Sequence, residues 1–258
     1  MNSNTLKKEL KKYALAFADK RNLEVDKSHY SAVLFSHVKD CFHPESYENI
    51  LNNENWKART AKNHPKVPGK KEMQSSNSSD VLLMNIFCHP KIGKWAGVSK
   101  IIGFKPDKIE FGSPGAVRLR NEKADETEID LSLTGCLCEA KLTEQDFTKK
   151  QAEKVEEYAE LENIFHREAL PRTVSDSDHA DYDNYQIIRN LLAAIQHERK
   201  HILFCDERRP DLVRRYMETV SCLREVQHRM NCRVIFWQEI VSVCGDSLRE
   251  WIEEKYGM

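Results

Sequence analysis

The segment 127–142, TEIDLSLTGCLCEAKL, limits what this chain can fold into more than any other. In 128–133, Glu128, Asp130 and Ser132 alternate with Ile129, Leu131 and Leu133, which is the period of a half-buried strand. Thr134-Gly135 supplies a tight turn, and 137–142 returns as the second arm of a hairpin. Glu139 and Lys141 are two apart, so they project from one face of that arm. Asp130 on the neighbouring arm can bring its carboxylate toward that of Glu139 across the ladder. Two carboxylates and an ammonium thus gather on strands otherwise built from Ile, Leu and Cys.

Phosphodiester cleavage has a use for this set. It needs a water nucleophile, neutralisation of the phosphate and stabilisation of the leaving oxygen. Two carboxylates can hold Mg2+, a hard cation that takes oxygen ligands at about 2.0–2.1 Å and keeps several waters. Such an ion lowers the pKa of a bound water and polarises the phosphoryl oxygen. Lys141 offers a point charge for the transition state or orients the attacking water. The carbonyl of Ala140 is an additional candidate ligand. A Glu-x-Lys pair on a strand is also common as a plain ion pair, and EAK by itself is a short motif of low specificity. Here the charges interrupt an apolar strand, Asp130 precedes them at hairpin distance, and a helix and an apolar strand follow.

Around the hairpin, Leu6, Leu10, Tyr13 and Phe17 recur at helical spacing and predict an amphipathic helix over 5–21. Two more helices are expected at 30–41 and 47–56. The stretch 56–71 holds six Lys or Arg, no acid, two prolines and a glycine, so it reads as a loop. DVLLMNIF predicts a short helix capped by Ser79 or Asp80. A second acid-free stretch spans 90–105. Short strands are expected at 108–111 and 116–120, helix over 143–167, and an acidic loop over 171–184. Beyond it come an amphipathic helix at 185–197, a strand at 201–205, a helix at 211–228, a strand at 233–236 and a terminal helix. The order is mixed α/β with one central sheet.

The pattern Asp130–x8–Glu139–Ala140–Lys141 resembles the PD-(D/E)xK nuclease superfamily. SSDVLLMNIF, EAKLTEQDF, YQIIRNLLAA and HILFCDERRPDL look similar to a bacterial family of restriction endonucleases. The resemblance implies a restriction-endonuclease-like α/β core, a mixed central sheet in αβββαβ order, over 75–258, with an N-terminal helical region and basic loop over 1–74 as additions, in one compact domain overall. It implies Mg2+, for which Mn2+ can substitute, held by Asp130, Glu139 and Ala140, with Lys141 assisting. A Gln on the following helix, here Gln186, joins the site in many members, and Arg189 and Asn190 share its polar face. An upstream acid is also common, and Asp80, Glu110 and Glu128 are all open for it. Ile129, not Pro, precedes Asp130.

Lys plus Arg is 40 and Asp plus Glu is 41, so any nucleic-acid footprint must be local. Lys62, Lys66, Lys70, Lys71, Lys91 and Lys94 in the acid-free stretches, Arg118 and Arg120 before the motif, and Arg189 are the candidates. The eight cysteines form no CxxC pair and read as reduced buried thiols. His179 among Asp176, Asp178, Asp181 and Asp183 reads as an acidic connector rather than a metal loop. With neither an apolar leader nor a stretch of membrane-spanning length, the expectation is a cytoplasmic protein with no membrane association. The expected activity is endonucleolytic cleavage of DNA in restriction or defence, by a homodimer and with a cognate methyltransferase as possible partners. The alternatives are a catalytically silent nucleic-acid-binding module of the same fold and a nuclease acting on RNA.

Overall fold

The hairpin forms the middle of a mixed five-stranded sheet. In the computed structural model, residues 1–65, 67–174 and 180–258 are described; Lys66 and the Asp176, Asp178 and His179 part of the acidic connector lie outside the described residues. The strands are β1 (Glu110–Pro114), β2 (Glu128–Leu133), β3 (Cys136–Ala140), β4 (Lys200–Cys205) and β5 (Cys232–Phe236), in the spatial order β5-β4-β3-β2-β1. β1, β2 and β3 are a meander of antiparallel pairs, while β3, β4 and β5 run parallel. Parallel neighbours need long crossovers, and these carry helices: Tyr185–Gln196 between β3 and β4, and Pro210–Ser221 between β4 and β5.

Both faces of the sheet are covered, so the inner strands are apolar on both sides. Cys136, Cys138 and Ala140 of β3 join Leu131 and Leu133 in one core, against the helices α1 (Ser3–Lys20) and α3 (Ser79–Phe87), with α2 (Glu54–Thr60) lying between these two in sequence. Leu137 joins Leu203 and Cys205 in the other core, under α4 (Tyr185–Gln196) and α5 (Pro210–Ser221). The helix α6 (Asp246–Tyr256) closes the first core against α1. All eight cysteines are free, and seven are buried.

Strict alternation fails at one point of β2. Leu131 and Leu133 pack in the first core but Ile129 packs in the second, so the strand changes face at Asp130. The ladder between β1 and β2 passes from Phe111↔Leu131 to Ser113↔Ile129 without pairing Gly112, whose φ is +64°. The ladder between β2 and β3 ends at Leu131↔Cys138, and the next backbone N–H, that of Ala140, donates to the Asp130 carboxylate at 2.8 Å. A side chain here accepts the bond a main-chain carbonyl would take.

Several helices differ from expectation. In 30–41, Ala32, Val33, Leu34 and Phe35 are all buried, which an amphipathic helix does not allow; Leu34–Phe35 pairs with Val25–Asp26, and only Val38–Cys41 turns as a 3-10 helix. The helix expected at 47–56 is two, Pro44–Leu51 and α2, because the Asn53 side chain accepts from the Asn55 and Trp56 N–H groups and starts a new turn. Helix over 143–167 is reduced to Ala152–Val155 and Leu161–Ile164; Asp146 accepts from Thr148, whose φ is +59°. The segment 116–120 contributes only Val117–Arg118, paired with Ala124–Asp125 outside the central sheet. Arg172–Val174 and Ala180–Tyr182 form a small sheet with Lys150–Gln151 where loop was expected. The helix predicted at 211–228 stops at Ser221 and resumes at Val226–Met230. No helix among the described residues is long and apolar enough to cross a membrane.

Lys255 on α6 is buried, with its Nζ 2.7 Å from the Cys41 carbonyl and 4.8–5.9 Å from the ring centres of Phe17, Phe35, Trp251 and Tyr256. Burial lowers its pKa to about 8. Between that value and the ordinary lysine value the unfolded chain binds more protons, so this group's contribution to stability rises with pH. Lys255→Met is therefore expected to stabilise the protein by up to ~3 kcal/mol near neutral pH, the Cys41 carbonyl keeping its bond from Asn85. The advantage over wild type should shrink as pH rises toward 10. Urea unfolding of both proteins across that range checks it, and equal stability at neutral pH would refute it.

Candidate active site

The end of β3 is clamped from three sides. The Lys141 N–H donates to the Phe204 carbonyl of β4 at 2.8 Å, and the Lys141 carbonyl accepts from the Trp237 indole at 2.8 Å. Leu142 N–H donates to Glu144, whose other oxygen accepts from the Ser79 hydroxyl at 2.6 Å. This ties the start of α3 to the end of the strand. Ser78, one residue earlier than expected, caps that helix by accepting from Val81.

Glu139 and Lys141 share one face of the strand, as their spacing predicted, and that face is turned toward α4. The Lys141 ammonium lies 2.6 Å from Glu139 Oε1 and donates to Gln186 Oε1 at 3.0 Å. Asn190 donates to Glu139 Oε2 at 2.6 Å, while its own carbonyl accepts from Arg189 at 2.8 and 3.1 Å. Arg189 also donates to the Glu128 carbonyl at 3.0 Å. The helix that follows the motif thereby holds its charges through Gln186 and Asn190, one helical turn apart.

The charges set one another's protonation. Burial, then the nearby Glu139 and Asp80 carboxylates, push Asp130 well above the usual carboxylate range, opposed by Lys141 and the Ala140 N–H. Burial also raises Glu139, but the adjacent Lys141, with Arg189 behind it, outweighs burial and leaves it low. Burial lowers Lys141, and Glu139, Glu144 and Asp130 reverse this, so the ammonium stays charged. His201, behind Glu139, is driven down to about 4 by burial and stays neutral.

A cleft of about 500 Å³ opens over this centre and is lined by Asp130, Ala140, Lys141, Asp80, Glu128 and Arg59, among others. Glu139, with 2% of its side chain exposed, lies beneath Lys141. A larger groove of about 1370 Å³, with Phe17, Phe42, Tyr47 and Trp251 in its walls, contains none of these residues. Of the three upstream acids left open by the sequence, Asp80 and Glu128 line the cleft and Glu110 lines an adjoining cavity.

The donors present suit a hard cation: two carboxylates and the backbone of Ala140. Glu139 Oε1 is buried and lies against the Lys141 ammonium at 2.6 Å, so its approach to a metal would require that ammonium to move aside. Among the described residues no three His, Cys, Asp or Glu side chains form a closed cage.

The basic candidates separate. Lys62 lines the cleft, as does Lys7, which the sequence reading missed because it sits on an ordinary amphipathic helix. Lys91 pairs with Glu45 at 2.9 Å, and Lys71 reaches Asn63. Lys70, Lys71, Lys91, Lys94, Arg118 and Arg120 are not in the cleft wall. Arg189 was expected at a nucleic-acid surface, but it is 3% exposed and turned inward to brace Asn190. Arg59 and Glu144, which the sequence reading did not place at the site, are part of it.

Over residues 12–257 the chain matches the family described as Restriction Endonuclease associating with ARP, REase-ARP, and it belongs to that family. No curated protein and no solved structure matches it.

Asn190 carries the heaviest structural duty at the site, since it satisfies both Glu139 and Arg189. Asn190→Leu should cost about 2–3 kcal/mol, because two buried charged groups lose a partner. Urea denaturation measures this, and a loss below about 0.5 kcal/mol, within the range of ordinary surface substitutions, would show that the network does not hold the site.

Proposed function

We propose that the protein is a Mg2+-dependent endonuclease of the PD-(D/E)xK kind, with a restriction-endonuclease-like core over 75–258 and helical additions over 1–74, that hydrolyses DNA phosphodiester bonds in restriction or defence. The observation that carries this reading is the meeting of Asp130, Glu139 and Lys141 where the β2–β3 ladder ends, with Asp130 and Lys141 in the cleft wall, Glu139 beneath the ammonium and Gln186 on it. Membership of a restriction-endonuclease family supports it.

In this reading Asp130, Glu139 and the Ala140 carbonyl hold Mg2+, with Mn2+ as a substitute. Bound there, such an ion would supply an activated water and neutralise phosphate charge. Lys141, kept cationic by its acidic neighbours, places positive charge where the phosphorane oxygens gain electron density. Gln186 orients that ammonium. Asn190 holds Glu139 in one rotamer through Oε2, with Oε1 against the Lys141 ammonium. Double-strand cleavage often uses two such centres, so the proposal includes a homodimer on the duplex, and a cognate methyltransferase would protect the host's own sites.

One observation favours a binding module without turnover: Glu139 lies sealed beneath Lys141. A cleavage assay on plasmid DNA with Mg2+ or Mn2+, run beside a matched RNA, decides between them. Wild type should cut DNA, and Asp130→Ala or Lys141→Ala should each lower the rate by at least ~100-fold. Undiminished cutting by both variants would remove this centre from the reaction. Binding of DNA without cutting under either metal would favour the silent module, and cutting of RNA alone would change the substrate.

A further inference from the structure

Arg59 stands where the active-site cleft adjoins a second cavity. The cleft is about 500 Å³, and the neighbouring cavity, walled by Trp56, Phe111 and Lys108, is about 630 Å³. Arg59, Lys62 and Glu128 line both. Arg59 is 7% exposed; its guanidinium donates to Asp80 at 2.8 Å and to Glu128 at 3.3 Å, and its Nε has no acceptor among the described residues. A Cβ on Gly112 would collide with Arg59 Nη1. The edge strand therefore gives up both a side chain and ordinary backbone geometry where the guanidinium lies.

The two acids beside Arg59 differ. Asp80, in the first turn of α3, has a side chain 16% exposed, whereas that of Glu128 is 51% exposed. Both Glu128 oxygens also lie on the Lys62 ammonium, at 2.6 and 2.8 Å. A carboxylate gripped by a guanidinium and an ammonium presents two anionic oxygens, as a phosphodiester does. Being half in solvent, Glu128 can swing away at little cost, and Asp80 would keep Arg59 in place.

We propose that Arg59 and Lys62 bind a backbone phosphate of the nucleic acid, and that Glu128 fills this phosphate site until the nucleic acid displaces it. The inference rests on the reading that the protein binds nucleic acid, but it is independent of metal and of cleavage. It separates Glu128 from the acids that would serve a cation: removing it should strengthen substrate binding.

The test is fluorescence anisotropy of the full chain with a short labelled DNA duplex in EDTA over a range of salt. Glu128→Gln should tighten binding about fivefold. Lys62→Met should weaken it about fivefold and lower the slope of log affinity against log salt by about 1. Arg59→Met should weaken it as well, and Arg59→Lys serves as a second variant if that protein does not fold. In the Lys62→Met background the gain from Glu128→Gln should largely disappear, which mere removal of a negative charge from the surface would not produce. No tightening in Glu128→Gln, or the same gain with and without Lys62, overturns the inference alone. A wild type that binds no duplex overturns it together with the nucleic-acid reading.

Discussion

Everything at the site depends on the register between β2 and β3. Side chains alternate along a strand, so a slip of one residue would exchange Glu139 and Lys141 with Cys138 and Ala140 and bury the charges in the apolar core under α3. The register is fixed redundantly. Leu131 and Leu133 pack with Cys136 and Cys138 on one face, β4 pairs along the whole of β3, and Asp130 takes the Ala140 N–H where the ladder ends. The same Asp130–Ala140 bond therefore ends the ladder and holds a carboxylate at the cleft.

The buried Glu139–Lys141 pair is poor evidence of a device for stability. Desolvating two ions offsets much of their attraction, whereas losing one partner costs about 3–5 kcal/mol. Its more telling property is asymmetry. Two carboxylates on adjacent strands are driven in opposite directions, Asp130 up and Glu139 down, because the ammonium sits against only one of them. Clefts that gather oppositely shifted groups are where function concentrates. Around them a second tier of paired charges, Arg59 with Asp80 and Lys62 with Glu128, keeps the cleft near electrical balance.

The sequence made the centre of this protein readable and its periphery much less so. Period-2 alternation and a two-residue turn located β2 and β3, and apolar runs bounded by polar residues located β4 and β5. The spacing of Glu139 and Lys141 was enough to put them on one face. What failed was decided by tertiary contacts. The change of face at Asp130 falls opposite the unpaired Gly112 of another strand, so no local pattern announces it. Val33 to Phe35 look compatible with a helix until their burial on every side is seen. Arg59 read as one more cation in a basic loop because its partners, Asp80 and Glu128, come from distant segments. Arg189, on the polar face of an amphipathic helix, read as a surface group, but the buried Asn190 and the Glu128 backbone turned it inward.

The outer strand β1 carries one more consequence. An open sheet edge is a row of unpaired donors and acceptors that can recruit a strand from another molecule. In β1 that row is interrupted twice within its five residues, by Gly112 at φ +64° and by Pro114, which has no N–H to offer. A neighbouring copy running alongside β1 would meet both interruptions, so this edge disfavours shared-sheet assembly and cross-β stacking. The kink that makes room for a guanidinium thus also keeps this edge from templating aggregation.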